Sequence, residues 1–263
     1  MVLERGVAHG RIERIGQALF RWRSFTPVPL LLVAVPLVWR SRGGGGAAWS
    51  AAGIGLCAAG QALRAWVLGQ VPDGTSGQNE RLIATELNTS GPYARTRNPL
   101  YLGNLLITIG LCVIAHDPIL LALVAILFAA QYRAIIAAEE EFLRGRFGAR
   151  FEEYRARVPR FLPRLRASGA ASGPWSWRRA LRKEHNPLAA WTGLVVLLLA
   201  SDQVVRARAA GAPATVRGYG LLPYATLLLG ITGAWLAVKG WKHRWARGGF
   251  TDDLRRRLRE TPR

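Results

Sequence analysis

Long apolar runs, almost free of charge, constrain this chain more than any other feature. A helix needs about 20 mainly apolar residues to cross a bilayer. Six runs qualify: 25–39, 47–71, 100–115, 118–138, 187–205 and 219–239. The first is short and holds Pro27, Pro29 and Pro36. It lengthens by taking in Leu19, Phe20 and Trp22 while Arg21 and Arg23 snorkel to the surface. It precedes Trp39-Arg40-Ser41-Arg42 rather than a small-residue cleavage pattern, so it reads as a retained span. The third and fourth runs are joined by the tight turn His116-Asp117-Pro118. Gly, Ala and Ser recur inside the runs, which lets helices pack closely in lipid. The expected fold is all-α: a polytopic membrane protein of about six spans.

Charge gives the orientation. The chain carries 36 basic against 16 acidic side chains, a formal charge of +20. Such an excess arises from nucleic-acid binding or from basic residues flanking membrane spans on the cytoplasmic side. Here the basic residues sit at the ends of apolar runs and form no basic, aromatic face on a soluble domain, so nucleic acid is set aside as a partner. Thirteen fall between Arg133 and Lys183 and nine from Lys239 onward, whereas the turn at 116–117 has none. This alternation predicts that both termini and the loop 72–98 face the cytoplasm. The Ala-, Arg- and Gly-rich composition points to a bacterial inner membrane.

The two cysteines, Cys57 and Cys112, lie within apolar runs, and the four histidines are scattered without ligand spacing. Neither a disulfide framework nor a metal site is expected. Residues 139–157 place Phe142, Leu143, Phe147, Phe151 and Tyr154 at helical steps, which predicts an amphipathic helix on the membrane surface, ended by Pro159 and Pro163. Residues 167–174 read as a Gly/Ser/Ala linker, followed by an interfacial anchor around Trp175, Trp177 and Arg178. Three regions result: a cytoplasmic segment and first span (1–46), a core of spans two to four with the long loop and amphipathic helix (47–166), and a linker with two further spans and a basic tail (167–263).

The loop 72–98 is long for a small membrane protein, and such loops are often functional. It ends in Gly91-Pro92-Tyr93, then Arg97-Asn98-Pro99-Leu100-Tyr101-Leu102-Gly103. Beyond the two-helix hairpin come Glu139-Glu140, Phe147-Gly148, Tyr154 and Val158-Pro159. The two halves, in this order, resemble the signature of the isoprenylcysteine carboxyl methyltransferase family and its phospholipid methyltransferase relatives: Gly-x-Tyr, Arg-His-Pro-x-Tyr-x-Gly, then Glu-Glu, Phe-Gly, Tyr and Val-Pro. The resemblance covers residues 78–163, about a third of the chain.

The resemblance implies an integral membrane enzyme using S-adenosylmethionine, with the amphipathic helix completing the cofactor site. The cofactor-binding positions it implies are Gln78, Thr85, Glu86, Leu87, Asn88, Tyr93, Asn98, Pro99, Leu100, Tyr101, Glu139 and Glu140. Carboxylates at the end of span four suit the ammonium or ribose of the cofactor. Asn98, Tyr101 and Arg97 would stand closest to the chemistry. Arg64, Arg95 and Arg133 are the candidate substrate-binding residues. Each has a plainer reading: Arg64 lies two turns from a span end and can snorkel, and Arg95 and Arg97 also fit as positive-inside charges. Tyr101 doubles as an interfacial aromatic, and Glu139-Glu140 as solvated charge.

Two positions depart from the family pattern. Asn98 replaces its His; an amide donates and accepts hydrogen bonds but is no base near neutral pH. Ile135 stands where prenylcysteine enzymes carry a substrate-binding arginine. Asn98 is compatible with an anionic acceptor, which needs no base, and Ile135 argues against a prenylcysteine substrate. The expected activity is an O- or N-methyltransferase acting by direct transfer on a membrane lipid or lipidated acceptor, with an anionic oxygen favoured. The competing reading is a non-catalytic scaffold or binding protein that keeps the fold. The chemistry of the two C-terminal spans and the oligomeric state are not written in recognisable motifs.

Overall fold

The computed structural model describes residues 46–71, 84, 86–164 and 174–242, and the backbone of the last helix on to Glu260. The expected first span at 25–39, Gln78, Thr85 and the linker at 167–173 lie outside the described residues. Within them the chain is all-helical: α1 (Ala47–Gln70), a 3-10 turn (Gly91–Ala94), α2 (Pro99–Ala115), α3 (Pro118–Phe147), α4 (Ala149–Arg157), α5 (Trp177–Ala209) and α6 (Leu222–Glu260). Helices α1, α3, α5 and the 222–242 part of α6 are long and apolar enough to cross a membrane; α2 is apolar but shorter. Five of the six expected runs are thus helices, in the expected order.

Glycines bring α1 and α2 together. A Cβ on Gly60 would lie 2.5 Å from the Gly103 carbonyl oxygen, and one on Gly53 would lie 2.5 Å from that of Gly110. The two pairs repeat at seven-residue spacing, so one glycine seam zips the antiparallel helices at backbone contact. In lipid, where apolar side chains gain little by leaving the solvent, such close backbone approach is a main source of helix association. The hairpin from α2 to α3 turns as its sequence demands. His116 adopts a left-handed conformation (φ 52°). Asp117 then caps α3 by accepting from the amides of Ile119 and Leu120, both at 2.9 Å.

Two boundaries differ from expectation. The amphipathic helix does not begin at Glu139. Residues 139–147 continue α3 without a break, since Glu, Phe, Leu and Arg all favour helix and no Gly or Pro intervenes except Gly145. The break comes at Gly148, whose φ of 52° disfavours side chains, and only α4 turns away. At about 1.5 Å per residue α3 is about 45 Å long, against about 30 Å of hydrocarbon. Its last turns therefore stand clear of the apolar layer. The second difference is in α5, which starts at Trp177 and carries Pro187 inside it. The anchor segment and the fifth span are one helix, capped by Ser176, which accepts from the Arg179 amide (3.4 Å). Membrane helices tolerate an internal proline where neighbours satisfy the freed carbonyl.

Helix α5 docks on α1 at the end that carries the long loop. Ser176 donates its amide to the Gly69 carbonyl (2.9 Å), and Arg179 Nη1 caps the carbonyls of Gly69 and Val71 at 3.2 and 3.4 Å. Helix α6 in turn packs on α5 through stacked Trp177 and Trp241 and a 2.7 Å hydrogen bond from Trp235 to Asn186.

Candidate functional site at the loop end of the bundle

The loop end gathers most of the expected site residues, and a strap made by residues 158–164 holds them. Helix α4 buries Phe151 and Tyr154, which cluster with Val158 at the start of the strap, and Leu87, Leu143 and Phe147 pack around them. Leu87 and Tyr93 are thereby tied to α4, the latter through a 2.8 Å hydrogen bond donated by Tyr154 Oη to its carbonyl. Burial pushes the Tyr154 phenol well above its usual range, so it stays a donor. Past α4 the strap runs back beside residues 95–98. The Arg97 amide donates to the Pro159 carbonyl (2.9 Å) and the Arg164 amide to that of Arg95 (3.0 Å). Thr96 Oγ1 bonds the Phe161 carbonyl (3.1 Å), and Asn98 Nδ2 donates to the Arg160 carbonyl (2.8 Å). Asn98 is thus a buried amide that fixes the strap.

Two carboxylates project from adjacent positions of α3 into different surroundings. Glu139 accepts a 2.6 Å hydrogen bond from Tyr101 Oη, which α2 holds buried at its first turn. Glu140 is 6% exposed and lies between two guanidinium groups. Arg160 pairs with both its oxygens, and Arg97 Nη2 stands 3.4 Å from Oε1. Arg97 itself is largely buried. Its Nε and Nη1 have no hydrogen-bond partner among the described residues. Burial pulls its pKa below the ordinary guanidinium value, opposed by the nearby Glu140 charge. Two desolvated N–H donors without acceptors are costly unless an anion meets them, so they fit the carboxylate of an amino-acid-bearing cofactor or the charge of an anionic acceptor.

An apolar groove of about 460 Å³ opens beside these groups. Leu105 and Ile109 of α2 and Val124 and Phe128 of α3 form its walls. Tyr132, Arg133, Arg160 and Phe161 line it as well, and Arg160 and Tyr132 connect it to the carboxylates. Tyr132 meets Tyr101 edge-on, with ring centroids 4.8 Å apart.

Other expected residues take different places. Arg64 does not snorkel out of the bundle: Glu184 of α5 accepts from its Nε at 2.9 Å and its Nη2 at 2.6 Å. Glu86 and Arg95 are exposed, Asn88 and Leu100 half-buried and Pro99 buried as the first residue of α2. Ile135 is fully buried against Tyr101. The sequence reading missed Asn104, Tyr132, Arg160 and Glu184. The detectable signal was electrostatic: Arg64 lies inside one apolar run and Glu184, of opposite charge, just before another, and each needs a partner.

Residues 49–150, from α1 to the start of α4, match the model of the phospholipid methyltransferase family. Two curated proteins are similar over part of the chain. The nickel-cobalt-cadmium resistance protein NccN of Alcaligenes xylosoxydans xylosoxydans is 40% identical over 82 residues, 31% of this chain and 38% of that protein. The cobalt-zinc-cadmium resistance protein CzcN of Cupriavidus metallidurans is 44% identical over 79 residues, 30% of this chain and 36% of that protein. The chain therefore spans well under half the length of either relative. No solved structure matches it.

Proposed function

We propose that this protein transfers a methyl group from S-adenosylmethionine to an anionic oxygen of a membrane lipid or lipidated acceptor, at the cytoplasmic face. The observation that carries the reading is an apolar groove whose Tyr132 meets Tyr101, the donor to Glu139, and whose Arg160 pairs with Glu140 beside the unpaired donors of Arg97, in a chain that matches the phospholipid methyltransferase family over residues 49–150. When bound, S-adenosylmethionine would supply a sulfonium methyl whose carbon an acceptor oxygen attacks in line, the O–CH₃ bond forming as the S–CH₃ bond breaks to leave a neutral ester and a neutral thioether.

The residues present suit that chemistry. Glu139, held by the Tyr101 hydroxyl, offers a carboxylate for the donor's ammonium or ribose. Arg97 offers its two unpaired N–H groups to a carboxylate. Tyr93, Asn98, Pro99 and Leu100 are the neighbouring positions proposed to contact the donor. The groove takes the apolar tail of the acceptor, and Arg133 and Arg160 hold its anionic head. No general base is needed, because the acceptor oxygen is already ionised. What the protein contributes is proximity, alignment and exclusion of water. Arg64 is assigned to the framework of this site rather than to direct substrate contact.

The two relatives are named for metal resistance. In this reading a link to metal tolerance runs through the lipid: esterifying an anionic head group removes an oxygen charge to which divalent cations bind. The test is incorporation of labelled methyl from S-adenosylmethionine into the organic extract of membranes with and without the protein. Label in a lipid that gains one CH₂, abolished by Glu139→Ala, is the expected result. Saturable donor binding without any labelled lipid would favour the scaffold reading.

A further inference from the structure

A chain of hydrogen bonds crosses the bundle from α5, which lies outside the family segment, to the groove. Glu184 is 3% exposed. Its carboxylate takes both Arg64 donors named above and a 2.8 Å hydrogen bond from Gln61 Nε2, whose Oε1 accepts from Trp191 Nε1 at 2.8 Å. The remaining terminal nitrogen of Arg64, Nη1, donates to Asn104 Oδ1. Asn104 Nδ2 donates to Tyr132 Oη at 2.8 Å. The stem of Arg64 reaches Asn104 because Gly103 has no side chain: a Cβ there would lie 2.5 Å from Arg64 Cγ. That gives the last glycine of the motif a task besides helix packing.

The direction of each bond is fixed by charge. A guanidinium only donates, so Arg64 turns the oxygen of Asn104 toward itself. The amide nitrogen must then face Tyr132, whose oxygen accepts. Tyr132 is stacked on Phe128 (centroids 4.0 Å apart), stands edge-on to Tyr101 and lines the groove. Glu184 is what keeps Arg64 in this pose. Without its charge the guanidinium is an uncompensated cation beside an apolar layer and must seek water, away from Asn104.

We infer that Glu184 is a positioning residue for the acceptor groove, acting through Arg64 and Asn104 on Tyr132, and that α5 is thereby an integral part of the methyltransferase site. The inference rests on the proposed function for the identity of the groove's ligand. Because the relay bonds named above end on Tyr132, which lines the groove, the coupling is expected to reach lipid binding and to spare donor binding at Glu139 and Arg97.

The experiment is a double-mutant cycle on the full-length protein in detergent, with two separate readouts: binding of a pyrene-labelled phosphatidic acid and calorimetric binding of S-adenosylmethionine. Glu184→Gln and Tyr132→Phe are each expected to weaken lipid binding by about tenfold. The double variant should be no weaker than Tyr132→Phe alone, and donor affinity should hold within about twofold. Arg64→Lys keeps the ion pair but not the Asn104 contact, and should match Glu184→Gln; it also serves if the latter does not fold. Asp202→Asn, which removes an ion pair with Arg206 farther along α5, should leave both readouts unchanged. Additive losses in the double variant, or wild-type lipid affinity in Glu184→Gln, would overturn the inference. Failure of the unmodified protein to bind S-adenosylmethionine would instead refute the proposed function, and the lipid arm would still decide the relay.

Discussion

Replacing Asn98 separates two roles that its position allows. Its Nδ2 donates 2.8 Å to the Arg160 carbonyl, and the strap that this bond fixes also delivers the guanidinium that pairs with Glu140. Asn98→Ala removes the donor and leaves the Arg160 carbonyl with the 3.3 Å contact from Thr96 Oγ1. Losing such a hydrogen bond costs about 0.5–1.5 kcal/mol. If that free energy falls on closure of the strap, the closed population drops by about 2- to 12-fold. Asn98→Asp should be worse, since it sets an acceptor against an acceptor. Asn98→His should restore function, because a neutral imidazole presents an N–H of similar reach. The assay is kcat/KM for methyl incorporation, measured for all three between about pH 6 and 8, where an imidazole would titrate. The expected order is wild type close to His, then Ala, then Asp, with no inflection in the wild-type profile. Activity that rises well above wild type only for His, with a base-like pH dependence, would refute the positioning role and restore a proton-transfer one.

Three further outcomes are expected. Gly60→Ala drives a Cβ to 2.5 Å from the Gly103 carbonyl and should destabilise the α1–α2 seam by about 1–3 kcal/mol, read as a lower thermal midpoint; Gly55→Ala, with open space around it, should not. Tyr101→Phe removes the donor to Glu139 and should weaken S-adenosylmethionine binding by about tenfold with the ring packing kept, checked by calorimetry. The Tyr154 phenol has its pKa raised in the folded state, so its contribution is intact below about pH 10 and is lost as pH climbs above that. The thermal midpoint should therefore fall between about pH 9 and 11 by more in the wild type than in Tyr154→Phe.

Helix order was legible because bilayer crossing writes itself as length and hydropathy. The tight turn at His116-Asp117-Pro118 was legible for a local reason, since cap and proline are consecutive. The end of α3 was harder to place. Amphipathic periodicity at 139–157 reads the same whether the helix is new or continues the span, and only the backbone at Gly148 distinguishes them. The site divides similarly. Tyr101 and Glu139 were named from the motif, and they meet at 2.6 Å. The partner of Asn98 is a backbone carbonyl 62 positions away, and Glu184 reaches Arg64 across 120 positions. No local pattern encodes either contact. What the sequence did carry was the imbalance: a cation and an anion next to apolar runs, each requiring compensation.

The most direct test of the account is calorimetric titration of the purified full-length protein with S-adenosylmethionine, beside Glu139→Ala and Arg97→Gln. The account predicts saturable one-site binding by the wild type, weakened by about tenfold or more in each variant. No saturable binding by the wild type, or wild-type affinity in both variants, would contradict it.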